Sequence, residues 1–137
     1  MSDAGFEAYE DELLALAVGG AYGRGGEQGA RLLKKKNVLE IPLDLSQSPE
    51  RVRARAVEAI GKTARDLDRP GAAEGEVCVI GIIGSGSMNM NPTVVMVTIS
   101  LTPNGSRVTV RGAAKEGLLF KQRAGEKAAR RIADALI

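Results

Sequence analysis

Chemistry in this chain should show first in Gly81-Ile82-Ile83-Gly84-Ser85-Gly86, which follows the apolar run Val77–Ile80. Glycines after a strand suit a dinucleotide-binding turn, where the backbone must approach a pyrophosphate closely. The spacing does not fit. Counted from Gly84, the third glycine falls at Asn89, and Pro92 and a further strand pattern follow where the motif needs a helix. Ser85 and Ser87 with Lys115 and Lys121 are the residue types of a Ser-Lys nucleophile pair, and Glu116 with Glu126 those of a carboxylate pair. No spacing joins either set. The sequence has no histidine, which excludes Ser-His-Asp and Cys-His catalysis, histidine zinc sites and the usual near-neutral proton shuttle. Cys78 is single and sits in an apolar strand, so it reads as a small buried hydrophobe. The acids are scattered. We therefore expect no catalytic residues, no metal and no cofactor.

Two binding sites remain as candidates. The first is an anion site at one pole, formed by Gly84, Ser85, Gly86, Ser87 and Asn89 of the Gly84–Asn91 loop with Lys115, Lys121 and Arg123. Its logic is that helix N-termini, glycine amides and cations together attract a small anion or nucleotide. If the first strand runs up, the following helix returns down and the later strands run up, down and up. That trace also brings the N-terminus of the Ser48 helix to this pole. The second candidate is an interface at Ile80, Ile82, Val94 and Met96. The strands there are apolar on both faces, and helices can cover only one. The other face needs a second subunit, an apolar ligand or the chain's own N-terminal helix.

The elements behind these sites follow from periodicity. Val95, Val97, Ile99 and Leu101 alternate with Val94, Met96, Thr98 and Ser100, the period of a strand. Thr102-Pro103-Asn104-Gly105 is a hairpin turn in which Asn104-Gly105 accept positive φ, and Arg107–Arg111 alternates again. Val38–Leu45 is a strand that Pro42 confines to an edge or a bulge. Ser48-Pro49-Glu50 opens a helix expected to run to about Leu67, with Arg51, Arg55, Glu58, Lys62 and Arg65 outward. A last helix over about Leu118–Leu136 buries Gly125, Ala128, Ala129, Ile132, Ala133 and Leu136. Its other face carries Arg123, Lys127, Arg130, Arg131 and Asp134. Gly61 and Gly125, both inside helices on this reading, imply close backbone approach.

Residues 5–18 read as a short amphipathic helix with Phe6, Tyr9, Leu13, Leu16 and Ala17 on one face and Glu7, Glu10 and Asp11 elsewhere. Gly19–Gly29, with six glycines, is a flexible linker of roughly 18 Å as a coil. Residues 1–30 carry a net charge of −5 and residues 31–137 one of +7, an acidic arm on a basic body. The division expected is thus an arm over 1–30 and one α+β domain over 31–137.

The order β-α-β-β-β-α gives a two-layer α+β fold with a mainly antiparallel meander and its helices on one face. It resembles small bacterial domains of unknown function and, with one strand fewer, a single repeat of the TATA-binding-protein-like fold. The resemblance covers roughly residues 37–137, rests on element order, and implies a fold, not an activity. The function expected is a small non-enzymatic module for binding or self-association, a homodimer or larger assembly. The alternative is the anion binder at the pole, and a further one is nucleic acid on the basic helix faces. Glu58 and Asp134 interrupt those faces and no aromatic platform interleaves them, which argues against nucleic acid. An acidic start without a basic, apolar leader and the lack of long apolar runs point to a cytoplasmic protein without a membrane span.

Overall fold

The computed structural model describes residues 10, 13, 36–67, 75–85, 91–115 and 123–137. β1 (Lys36–Leu45) is followed by α1 (Pro49–Ile60), β2 (Arg65–Asp66), β3 (Val77–Ser85), β4 (Asn91–Thr102), β5 (Gly105–Lys115) and α2 (Ala124–Leu136). The strands form a single sheet in the order β1-β5-β4-β3-β2, every neighbouring pair antiparallel. The fold is α+β, in the order β-α-β-β-β-β-α.

α1 begins where the sequence places it. Ser48 caps it by accepting from the Arg51 N–H at 3.4 Å, and Pro49 occupies its first turn. It ends earlier than expected, at Ile60 rather than Leu67. Gly61 is not an interior helix residue: at φ +94° it caps the helix, and its N–H donates to the Val57 carbonyl at 2.9 Å. The chain so released forms the two-residue β2, and the Leu67 N–H donates to the Cys78 carbonyl at 2.9 Å. Arg65 and Leu67 therefore belong to the sheet and not to a helix face.

β1 pairs through its whole length with β5, from Lys36↔Lys115 to Leu45↔Ser106. It is an edge strand, as Pro42 requires. This pairing also corrects the expected strand directions. β5 runs opposite to β1, so β4 runs with β1 and β3 against it. The N-terminus of α1 thus lies beside the Thr102–Gly105 turn, at the opposite end of the sheet from Gly84 and Lys115. In that turn the positive φ falls on Gly105 alone, at +143°, and Asn104 does not share it. A Cβ at Gly105 would collide with the Leu45 carbonyl.

Both helices pack on one face of the sheet. Val52, Ala56 and Ile60 of α1 and Ala128, Ala129, Ile132, Ala133 and Leu136 of α2 bury against Val79, Val95, Val97, Ile99, Val108 and Val110. Leu101, expected to continue this stripe, is 73% exposed near the hairpin. α2 approaches the sheet backbone to backbone: a Cβ at Gly125 would run into the Asn37 carbonyl, and one at Gly112 into the Gly125 carbonyl. The close approach inferred from Gly125 is thus real, and Gly112 is its counterpart. α2 is described from Ala124; its expected beginning at Leu118 lies outside the described residues.

Candidate functional site

The register sorts the second face of the sheet, the one turned away from both helices, into rows. Glu40, Arg111, Met96, Ile80 and Arg65 stand side by side across the five strands. The next row toward Lys36 and Lys115 is Val38, Ala113, Val94 and Ile82. In the other direction the rows turn polar, through Pro42, Thr109, Thr98 and Cys78 to Asp44, Arg107 and Ser100. Half of this face is therefore largely apolar, bounded by Glu40 and Arg65 on its outer strands, with one cation inside it.

That cation is Arg111, and its fork is filled. Its Nε and Nη2 donate to the two carboxylate oxygens of Glu10 at 3.0 and 3.2 Å, and its Nη1 donates to Glu40 Oε1 at 2.8 Å. The side chain of Glu10 is 0% exposed and that of Arg111 14%. Glu40, on the rim, is half-exposed. The hydrogen bonds that Arg111 donates to Glu10, and after them the one to Glu40, hold its guanidinium above its ordinary pKa against the burial that would lower it. Leu13, one helical turn from Glu10, packs with the cluster of Cys78, Ile80, Val94, Met96 and Ala113, joined by Val38, Leu67 and Ile82. The sequence reading set Leu13 on the apolar face of its helix but Glu10 elsewhere. The structure corrects the second point, because Arg111 makes burial of a carboxylate tolerable there.

A cleft of about 280 Å³ opens beside Leu13, lined also by Thr63, Arg65, Ile80, Gly81 and Ile82. Thr63 closes the sheet edge above it. Its hydroxyl accepts from the Ile82 N–H at 2.8 Å and donates to the Ile82 carbonyl at 2.7 Å, standing in for a strand residue. Of the four expected interface residues, Ile80, Val94 and Met96 are buried within the single chain and Ile82 is half-buried. A larger cleft of about 460 Å³ lies at the other end, between Asp44–Ser46 and the hairpin turn. Its rim includes the exposed Arg107–Asp44 ion pair.

The pole expected to bind anions is only partly assembled. Gly84 pairs with Pro92 and Ser85 with Asn91, while Lys115 pairs with Lys36 at the same end of the sheet. Arg123, at φ +52° the only non-glycine with positive φ among the described residues, precedes α2 there. Gly86, Ser87, Asn89 and Lys121 lie outside the described residues. The N-terminus of α1 is at the far end, as the strand directions dictate. At α2 the Glu126 N–H is taken by Asn37 Oδ1 at 2.8 Å, which removes one amide from any anion.

Among the described residues no group of three or more Cys, Asp or Glu is placed to hold a metal, and no helix is long and apolar enough to cross a membrane. Sequence reasoning missed Arg111, Glu10, Glu40 and Thr63. The one available signal was Arg111 itself, a charge placed by alternation on the same face as Ala113.

No protein-family model matches the chain, and no curated protein matches it in sequence. Among solved structures it is similar to an uncharacterized protein from Rhizobium leguminosarum, with 13% identity and a TM-score of 0.46 over 74% of this chain and 92% of that one. It is also similar to the Mll3558 protein from Rhizobium loti, with 16% identity and a TM-score of 0.44 over 74% and 95% of the two chains. Both are small bacterial proteins of similar fold. A third similarity is to the di-domain ARO/CYC StfQ of the steffimycin biosynthetic pathway, with 12% identity and a TM-score of 0.33 over 82% of this chain and 50% of that one.

Proposed function

We propose that the chain is a small non-enzymatic binding module whose working surface is the apolar half of the second sheet face. The observation that supports this reading is the row Arg111, Met96, Ile80 with its neighbouring row Ala113, Val94, Ile82. It is an apolar platform that neither helix reaches, with a cleft of about 280 Å³ at its edge. Self-association uses the same surface if a second copy supplies the cover. The arm over 1–30 and the domain over 31–137 belong to this reading, with Glu10 and Leu13 as the arm's contacts on the platform. The test is binding of a neutral solvatochromic dye, Nile red, together with sedimentation of the full chain. Ile82→Lys should lower dye binding about tenfold or more, and Arg130→Glu on α2 should leave it unchanged. A monomer that binds no dye defeats the reading.

The second reading keeps the anion site at the pole, favoured by the shared end of Gly84, Ser85, Lys115 and Arg123 and by the left-handed backbone at Arg123. Inorganic phosphate should then shift the amide resonances of Gly84 and Ser85 before any others. Largest shifts at Arg55 and Arg130 would mark diffuse charge only.

A further inference from the structure

We infer that the platform is a site for an amphipathic carboxylate, a single carboxyl group on an aliphatic tail, and that Glu10 and Leu13 occupy it as a built-in competitor. The inference rests on the platform being a binding surface and names what it takes. Three observations carry it. First, the Arg111 fork presents its Nε–Nη2 edge, which Glu10 fills side-on with both carboxylate oxygens, while Glu40 uses only Nη1. That edge recognises any carboxylate, and it is a poor match for an alcohol or an amine. Second, the row leads from Arg111 over Met96 to Ile80, two inter-strand steps or about 10 Å, and ends at the cleft beside Leu13. A carboxylate seated on Arg111 thus points an aliphatic tail along Met96 and Ile80 toward the place that Leu13 now takes. Third, the present occupant already has this chemistry, an acid followed one turn later by a leucine.

The occupant is tethered to the body it covers. Residues 14–35 separate Leu13 from β1 in the sequence, so the occupant is covalently linked to the body it covers and is not lost by dilution. An outside ligand binds only the fraction of molecules whose fork is vacant, so its apparent affinity is lowered by that fraction. Weakening the built-in occupant must therefore strengthen binding, and weakening the fork must abolish it. The two halves of one ion pair should act in opposite directions. A purely structural pair cannot do this, since loss of either half would only destabilise the fold.

The experiment titrates the full chain with decanoate, following the methyl resonance of Met96, with decanol and decyltrimethylammonium as controls of equal tail. Glu10→Gln and, independently, Leu13→Ala should each tighten decanoate binding about tenfold. Arg111→Met should weaken it about tenfold or more, and decanol, which has no carboxylate for the fork, should bind the parent chain more weakly than decanoate does. If Arg111→Met does not fold, Arg111→Lys, which keeps the charge but loses the fork, should still weaken decanoate several-fold. Decanoate binding that Glu10→Gln and Leu13→Ala leave unchanged overturns the inference. So does decanol binding as tightly as decanoate, although the platform then remains a binding surface. Failure of all three compounds to bind any folded variant overturns the broader reading as well.

Discussion

The two faces of the sheet are made by the same strands, residue by alternate residue, yet they are closed by different means. On the helix side the closure is backbone against backbone: Gly112 and Gly125 let α2 settle until carbonyl and amide groups touch, and Ala128 and Ala129 keep the gap narrow. On the other side Arg111 of β5 holds Glu10, a residue from the far end of the chain, beside a leucine. Close packing of the first kind has no substitute, because nothing else has its shape. Closure of the second kind depends on a charge pair and a modest apolar contact, which another molecule of the same chemistry can reproduce. The faces thus differ in how replaceable their cover is.

This asymmetry is open to direct attack. The largest effect is expected at Gly112→Val, whose side chain must enter the space of the Gly125 carbonyl and the Ala129 amide; a loss of about 3 kcal/mol or more should appear in urea unfolding. Met96→Ala on the second face should cost about 2 kcal/mol, and equal losses at the two sites would erase the distinction. Next comes the ion pair. Arg111→Met removes the two charge-assisted hydrogen bonds that the buried Glu10 carboxylate accepts from it, a loss of about 3 kcal/mol, and Glu10→Gln added to it should restore most of that. A double variant as unstable as the sum of the singles would show that the pair is not a unit.

Thr63→Val should be milder, about 1–2 kcal/mol, because it removes both hydrogen bonds to Ile82 from a site near the surface. Hydrogen exchange at the Ile82 amide should accelerate before that at Ile80. The smallest effect belongs to the Arg53–Asp66 pair, exposed on the helix side. The hydrogen bond from Arg53 holds the Asp66 carboxyl below its ordinary pKa, so its stabilisation is present above the usual carboxylate range and is lost as pH falls through the lowered value. Melting followed between pH 5 and 2 should show Asp66→Asn converging with the parent protein at the acid end. Above pH 5 the two should differ by about one to two degrees.

Alternation carried most of the fold. The two faces of β3 and β4, the edge position of β1, the cap at Ser48 and the inner stripe of α2 all follow from local spacing, since a period of two or 3.6 is set by neighbours in the chain. The failures share a cause. Gly61 reads equally well as a helix interior or a C-cap, and only the partnering of β2 with β3 settles which; once α1 stops there, Arg65 and Leu67 change element. Strand directions were lost because the chain after Gly61 turns back as β2 before β3, one reversal more than expected, a choice that only the pairing with β3 settles. The same choice moved the α1 N-terminus away from the expected anion pole. Arg111 could be placed on a face from its sequence neighbours, but its meeting with Glu10 depends on the third dimension alone.

The outermost position of β1 also has a consequence in time. Its partner is the last strand of the sheet, and about 60 residues separate Leu45 from Gly105. On a ribosome adding roughly 5–20 residues per second, β1 emerges about 3–12 s before β5 exists to receive it. β3, β4 and β5 meanwhile form by local hairpin pairing, whereas β1 must wait for a long loop to close. Through that interval Leu39, Ile41, Leu43 and Leu45 travel as an apolar strand without a sheet. Pro42, in their midst, lacks the N–H that a foreign strand would need for a continuous ladder. A residue that looks like a defect in the finished strand is, during synthesis, its guard against the wrong neighbour.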